Sequence, residues 1–249
     1  HVIVVRNGHF FAVDLVNKMT GKELSVAEIE VQLDRIMNDS RTQKMASAPV
    51  GAFTAANRDA WLKNREALLS GPSAEQNRKA LEKIESGIIV LALDSGKPVT
   101  FDERGVAVYG GDARNRFFDK QQIIVFDNGM SGYVGEHSMM DGTQTLRLNN
   151  FMLSALEAGK IDLTGTNSGS VLDEPERLEF QVSSEVTKAA EDASSGFVEL
   201  MDGQDIAVLD FMAYGKNAIK SYKCSPDAWA QMCIQLGFYK LYDHPCATY

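Results

Sequence analysis

The sequence predicts a folded α/β or α+β protein, on three observations. Several stretches carry apolar residues at helical spacing behind cap signatures. Short β-branched and aromatic runs are bounded by Asn-Gly or Asp-Asn-Gly turns, and the two kinds of segment are interspersed along 249 residues.

The first element is a hairpin, with a strand over His1 to Val5, a turn at Asn7-Gly8 and a return strand from His9 to Val16. Ser25 with Glu28 forms a capping-box signature, and Val26, Ile29, Leu33, Ile36 and Met37 then recur at helical spacing. A loop from Ser40 through Pro49 leads to a short apolar stretch ending at Phe53 and a second helix around Asn57 to Ser70. Ser73 with Gln76 is expected to cap a third helix that stops at Gly87. Ile88 to Leu93 is short, continuous and apolar, the pattern of a buried strand. A second hairpin pairs Gln122 to Phe126 with Ser131 to Val134 across Asp127-Asn128-Gly129. Gly142 to Gly159 is helical, with Leu146, Phe151, Met152 and Leu156 as expected core contacts. Thr164 to Glu176 is a polar, glycine-bearing loop or linker. A strand near Leu178 to Val182, a helix near Ser184 to Ser194 and an alternating strand from Asp205 to Phe211 follow. The final helix has the clearest start, with Ser225 at the N-cap, Pro226 at the first helical position and Asp227 in the first turn. No internal repeat is present.

A hydrophobic content of 44% and a charged content of 24% are ordinary for a soluble globular chain. The net charge of -9 argues against a nucleic-acid binder, whose phosphate partner needs a broad basic surface. Cys224, Cys233 and Cys246 are odd in number and lack metal-ligand spacing, which fits a reducing compartment and no metal site. No apolar run approaches the roughly 20 residues needed to span a bilayer. The chain starts in a strand, without a basic leader, and stops just after a long helix. It is therefore expected to be a fragment of a longer protein.

The four histidines are His1, His9, His137 and His244. His137 follows a predicted strand directly and opens Glu136-His137-Ser138-Met139-Met140-Asp141-Gly142, where a helix begins. A neutral imidazole there can take a proton from a substrate hydroxyl near neutral pH, and Asp141, one helical turn on, can orient the ring or the loop. His-x-x-x-Asp is common, so the pair gains meaning only from its surroundings.

Those surroundings are Asn115-Arg116-Phe117-Phe118-Asp119-Lys120, Asp127-Asn128-Gly129 and Gly135 through Asp141, preceded by Pro49 through Thr54 and by Asn57-Arg58-Asp59-Ala60-Trp61. Further on come Tyr214-Gly215-Lys216-Asn217-Ala218-Ile219-Lys220, Cys224 through Gln231 and the ending Pro245-Cys246-Ala247-Thr248-Tyr249. In order and spacing this set resembles the carnitine and choline acyltransferases, over essentially the whole chain. The resemblance implies two domains like chloramphenicol acetyltransferase, each a mixed sheet flanked by helices, with an active-site tunnel between them. Residues 1–180 would be part of the histidine-bearing domain and 181–249 the start of a second, CoA-binding one. Family members are much longer than this chain.

The implied reaction is reversible acyl transfer between a CoA thioester and the carnitine hydroxyl, through a ternary complex and without an acyl-enzyme. His137 would be the general base and Asp141 its support. Lys216 and Lys220 would hold the 3′-phosphate of coenzyme A, with Lys223 adding to the field and Asp227 near the CoA-binding surface. Tyr249 would help hold carnitine's carboxylate. The threonine and arginine that complete that site, and the serine/threonine motif that supports the oxyanion, lie beyond the chain. Some animal members carry tyrosine where this chain has Gly135. CoA is thus a co-substrate, with no permanently bound cofactor and no metal. A monomer in mitochondria or peroxisomes is expected, with membrane-surface association of the full-length protein left open.

Choline as acceptor is the nearest alternative. The ending Cys246-Ala247-Thr248-Tyr249 looks more like members that use carnitine, and overall similarity favours acetyl or short-chain groups. A non-catalytic CoA-binding relative is a second alternative. A Ser-His-Asp hydrolase is disfavoured because no Gly-x-Ser-x-Gly elbow occurs. The isolated fragment, holding one wall of a tunnel, is expected to be inactive.

Overall fold

The computed structural model describes residues 1–163, 165 and 171–247. The chain forms two compact units, His1–Ala207 and Val208–Tyr249. The first is a mixed six-stranded sheet flanked by helices. Its strands are β1 (Val2–Arg6), β2 (His9–Val13), β3 (Val90–Asp94), β4 (Gln122–Phe126), β5 (Ser131–Val134) and β6 (Glu176–Leu178). They run in the order β5-β4-β3-β1-β2-β6. β1, β3 and β4 are parallel neighbours, and the two hairpins and β6 add antiparallel edges. The parallel strands read as continuous apolar runs because both of their faces are covered.

Strand periodicity sorts side chains between the two faces. Ile3, Val5, Phe10, Ala12, Val90, Ala92, Ile124 and Phe126 share one core with residues of α2 (Arg58–Leu68), α3 (Ala74–Glu85) and α6 (Ser184–Asp202). Val4, Phe11, Val13 and Leu93 point the other way and meet Ile36, Leu33 and Met37 of α1 (Val26–Asn38). The first of these helices in the chain starts as expected. Ser25 accepts from Glu28 N at 3.2 Å while the Glu28 carboxylate accepts from Ser25 N at 2.9 Å. Asn57 likewise caps α2 through Ala60 N.

Several expectations are corrected. Ser73 flanks α3 but makes no side-chain cap bond, its backbone having turned out of the extended conformation an N-cap uses. The strand expected near Leu178 to Val182 is the shorter β6, and the helix expected to end at Ser194 continues to Asp202. A helix not anticipated, α4 (Phe101–Tyr109), starts at a reciprocal capping box of Thr100 and Glu103 and ends on Gly110 at φ 85°. The apolar face expected on α5 (Gly142–Glu157) is exposed in this unit, with Leu146 at 61% and Phe151 at 71%, because no described element covers it. Asp205 to Phe211 is irregular rather than a strand, and no described strand pairs with it. The polar segment expected over Thr164 to Glu176 falls partly outside the described residues.

The second unit contains the short helix α7 (Lys216–Ser221) and α8 (Pro226–Tyr242). α8 begins as expected, with Ser225 accepting from Ala228 N and Pro226 in its first turn.

Candidate active site

His137 lies on the connection that leaves β5 and enters α5. The β4–β5 hairpin turns at Asp127-Asn128-Gly129, where Gly129 takes φ 78° and Asn128 accepts from Met130 N and donates to Pro98 O. Beyond Val134 the chain leaves the sheet. Its return into α5 is fixed by Asp141 as the N-cap, whose Oδ1 accepts from Gly142 N at 2.7 Å. The expected His137–Asp141 pair is present, with Nε2 3.3 Å from Oδ1. Both side chains are open to solvent, at 79% and 78%. An ion pair so exposed contributes little by itself, and the carboxylate already serves the helix start. In the tautomer that carries its proton on Nε2, toward the carboxylate, the ring would leave its Nδ1 lone pair free to accept a proton.

The backbone around His137 is better fixed than its ring. Gln121 Nε2 donates to Glu136 O at 2.8 Å, and Glu136 Oε1 accepts from Ser138 N at 2.7 Å. Tyr133 Oη donates to Gln121 Oε1. Hydrogen bonds from Ser138 hold the Glu136 carboxyl below its ordinary range, so it stays ionised. Burial raises the Tyr133 phenol, so it stays a donor. Sequence reasoning missed Gln121 and Tyr133.

Asn115 through Lys120, leading into Gln121, works as a girder. Arg116 is wholly buried and grips Asp94 at the end of β3 through two bonds of 2.9 and 2.8 Å, with Nη2 the closer. Its other donors go to the carbonyls of Val108, Ala107 and Asn115. Asn115 also donates to Asp94 and accepts from Gly8 N. Phe117 packs edge-on to Phe10, and its N–H donates to Gln122 Oε1. Phe118 N donates to Thr54 Oγ1, while Asp119 accepts from Trp61 Nε1 and pairs with Arg58. Gly51 is required where it stands, since a Cβ there would fall 2.1 Å from Arg116 O. The segments around residues 49–61 and 115–120 are therefore one packed unit in space.

In the second unit, Lys216 and Lys220 lie one turn apart on α7, which puts both on one exposed face. Ile219, between them in sequence, is buried. Aromatic packing holds α7 to α8: Tyr222 stacks on Trp229, and Trp229 Nε1 donates to Tyr214 Oη at 3.1 Å. Lys223 follows with φ 59°, and Asp227 is exposed in the first turn of α8. Tyr249 lies outside the described residues. Among the described residues no group of three or more His, Cys, Asp or Glu could hold a metal ion. No described helix is long and apolar enough to cross a membrane.

The family model described as Choline/Carnitine o-acyltransferase matches residues 1–249. The carnitine O-acetyltransferase of Columba livia is 32% identical over 262 residues, covering 100% of this chain and 40% of that protein. The mitochondrial carnitine O-acetyltransferase of Saccharomyces cerevisiae is 33% identical over 255 residues, covering 100% of this chain and 37% of its own length. The choline O-acetyltransferase of Mus musculus is 32% identical over 259 residues, with 100% and 39% covered. The chain thus spans about 40% or less of the length of these relatives.

Proposed function

We propose a reaction for this chain, which belongs to the choline/carnitine O-acyltransferase family. Within the whole protein, it transfers an acetyl or short-chain acyl group reversibly between coenzyme A and the hydroxyl of carnitine. The observation that carries the reading is the place of His137, on a braced strand-to-helix connection with its imidazole open to an incoming substrate. The imidazole takes the hydroxyl proton as the oxygen attacks the thioester carbon. The carbon–sulfur bond breaks, and the same proton passes to the CoA thiolate. No acyl-enzyme forms. Asp141 supports this by fixing the start of α5 and favouring the imidazolium.

Lys216 and Lys220 present two ammonium groups on one helical face for the 3′-phosphate, with Lys223 and Asp227 at the edge of the same unit. Tyr249 takes the carnitine carboxylate. The domain division near residue 180, the single-chain state and a mitochondrial or peroxisomal location belong to the same reading. Choline in place of carnitine is the second reading, supported by comparable likeness to a choline O-acetyltransferase.

The test is thiol release from acetyl-CoA by the whole protein with carnitine, with choline or with neither. Carnitine-dependent release is expected. Release dependent on choline alone overturns the acceptor, and none with either overturns the catalytic reading. The Lys216→Ala, Lys220→Ala double variant is expected to raise the Kd for CoA roughly tenfold to a hundredfold, from about 1.5–3 kcal/mol in charge-assisted hydrogen bonding. Dephospho-CoA binding should hardly change. Equal losses for both ligands would remove the phosphate role.

A further inference from the structure

The geometry points to Gln121 as the residue that positions His137, an inference that rests on the reading of His137 as the base. His137 is largely exposed, so packing does not set its direction. Its backbone is instead held on both sides. Gln121 Nε2 donates to Glu136 O, which belongs to the peptide group joining Glu136 to His137. The Glu136 carboxylate accepts from Ser138 N, which belongs to the peptide group joining His137 to Ser138. A residue whose two flanking peptide planes are fixed has its φ and ψ fixed, and with them the direction of its Cα–Cβ bond.

The amide orientation follows from its partners. A backbone carbonyl only accepts, so Gln121 must face Glu136 O with its NH2 group, which leaves Oε1 for Tyr133. The Tyr133 hydroxyl must then donate, and it does. Every polar end of Gln121 is thereby committed, and the relay runs from Tyr133 through Gln121 to the peptide at His137. Gly135 keeps the space beside it open. A Cβ there would sit in ordinary van der Waals contact, 3.4 Å from Tyr133 Cε1 and 3.6 Å from Gln121 Oε1.

Gln121→Glu separates positioning from folding. It preserves size and the acceptor for Tyr133 but sets an oxygen against the Glu136 carbonyl. In the whole protein, Gln121→Ala and Gln121→Glu are each expected to lower kcat about tenfold, since a displacement of about 1 Å at a reacting group costs up to about 10²-fold. KM for CoA and the urea midpoint should stay as in the parent. Tyr133→Phe keeps the amide–carbonyl bond and should lose less. Hydrogen exchange over residues 135–140 of the unliganded protein reads the clamp without turnover, and it should quicken severalfold in both Gln121 variants. Unchanged exchange overturns the clamp whatever the reaction proves to be. If His137→Ala is inactive while both Gln121 variants keep kcat within twofold, positioning by Gln121 is overturned and the base stands. If His137→Ala keeps full turnover, the base reading falls instead.

Discussion

Replacing His137 with alanine in the whole protein is expected to lower carnitine-dependent thiol release by about 10²–10⁴-fold, the usual worth of a positioned general base. No neighbour in the loop can take over. The Glu136 carboxylate is engaged by Ser138 N–H and, with its pKa lowered, is a weaker base than imidazole. Asp141 is engaged at the start of α5. CoA affinity should be nearly unchanged, because the proposed phosphate contacts come from Lys216 and Lys220. Asp141→Asn is the companion variant. Asparagine is as good an N-cap as aspartate, so the helix start survives while the charge beside the ring is lost. A loss of only a few fold is expected, consistent with the exposure of the pair. Unchanged turnover in His137→Ala would refute the base assignment. A loss in Asp141→Asn as large as in His137→Ala would show that the exposed geometry understates the partnership.

The parts of this structure legible in the sequence are those governed by near neighbours. Ser25 with Glu28 and Ser225 with Pro226 place helix starts because the capping partners lie within one turn. The two hairpins follow from Asn7-Gly8 and Asp127-Asn128-Gly129 for the same reason. The start of α4 carried an equally local signal in Thr100 and Glu103, masked by Gly105 in mid-helix and by the lack of a buried stripe. Periodicity gives the apolar face of α5 but cannot supply what covers it, and alternation over Asp205 to Phe211 cannot supply a pairing strand. At the site, the strand-to-helix junction revealed His137. Gln121 stayed hidden, because a glutamine at the edge of a strand has no pattern of its own. Its role exists only once the hairpin brings it 15 residues back onto Glu136.

Removing the Arg116 guanidinium is expected to cost the first unit about 3–5 kcal/mol, the range for leaving one member of a buried ion pair unpaired. The cost is large because Arg116 serves more than Asp94. It also satisfies the carbonyls of Ala107 and Val108 at the end of α4 and that of Asn115. Arg116→Met keeps much of the apolar stem yet takes a donor from all three carbonyls, of which Ala107 keeps Gly110 N–H, and leaves a carboxylate that is 16% exposed with Asn115 in place of a cation. Arg116→Met combined with Asp94→Leu removes the stranded charge and should recover part of the loss, though not the part due to the carbonyls. Gly110→Ala offers a third approach to the same point. Its Cβ would lie 2.6 Å from Arg116 Nε, at a backbone φ of 85° that an L side chain resists, so it both strains the turn and pushes on the guanidinium. Urea midpoints of the whole protein read all three variants. A single Arg116→Met loss below about 1 kcal/mol, or no recovery in the double variant, would mean that the network is solvated and that the Asn115–Lys120 girder is held by Phe117 and Phe118 instead.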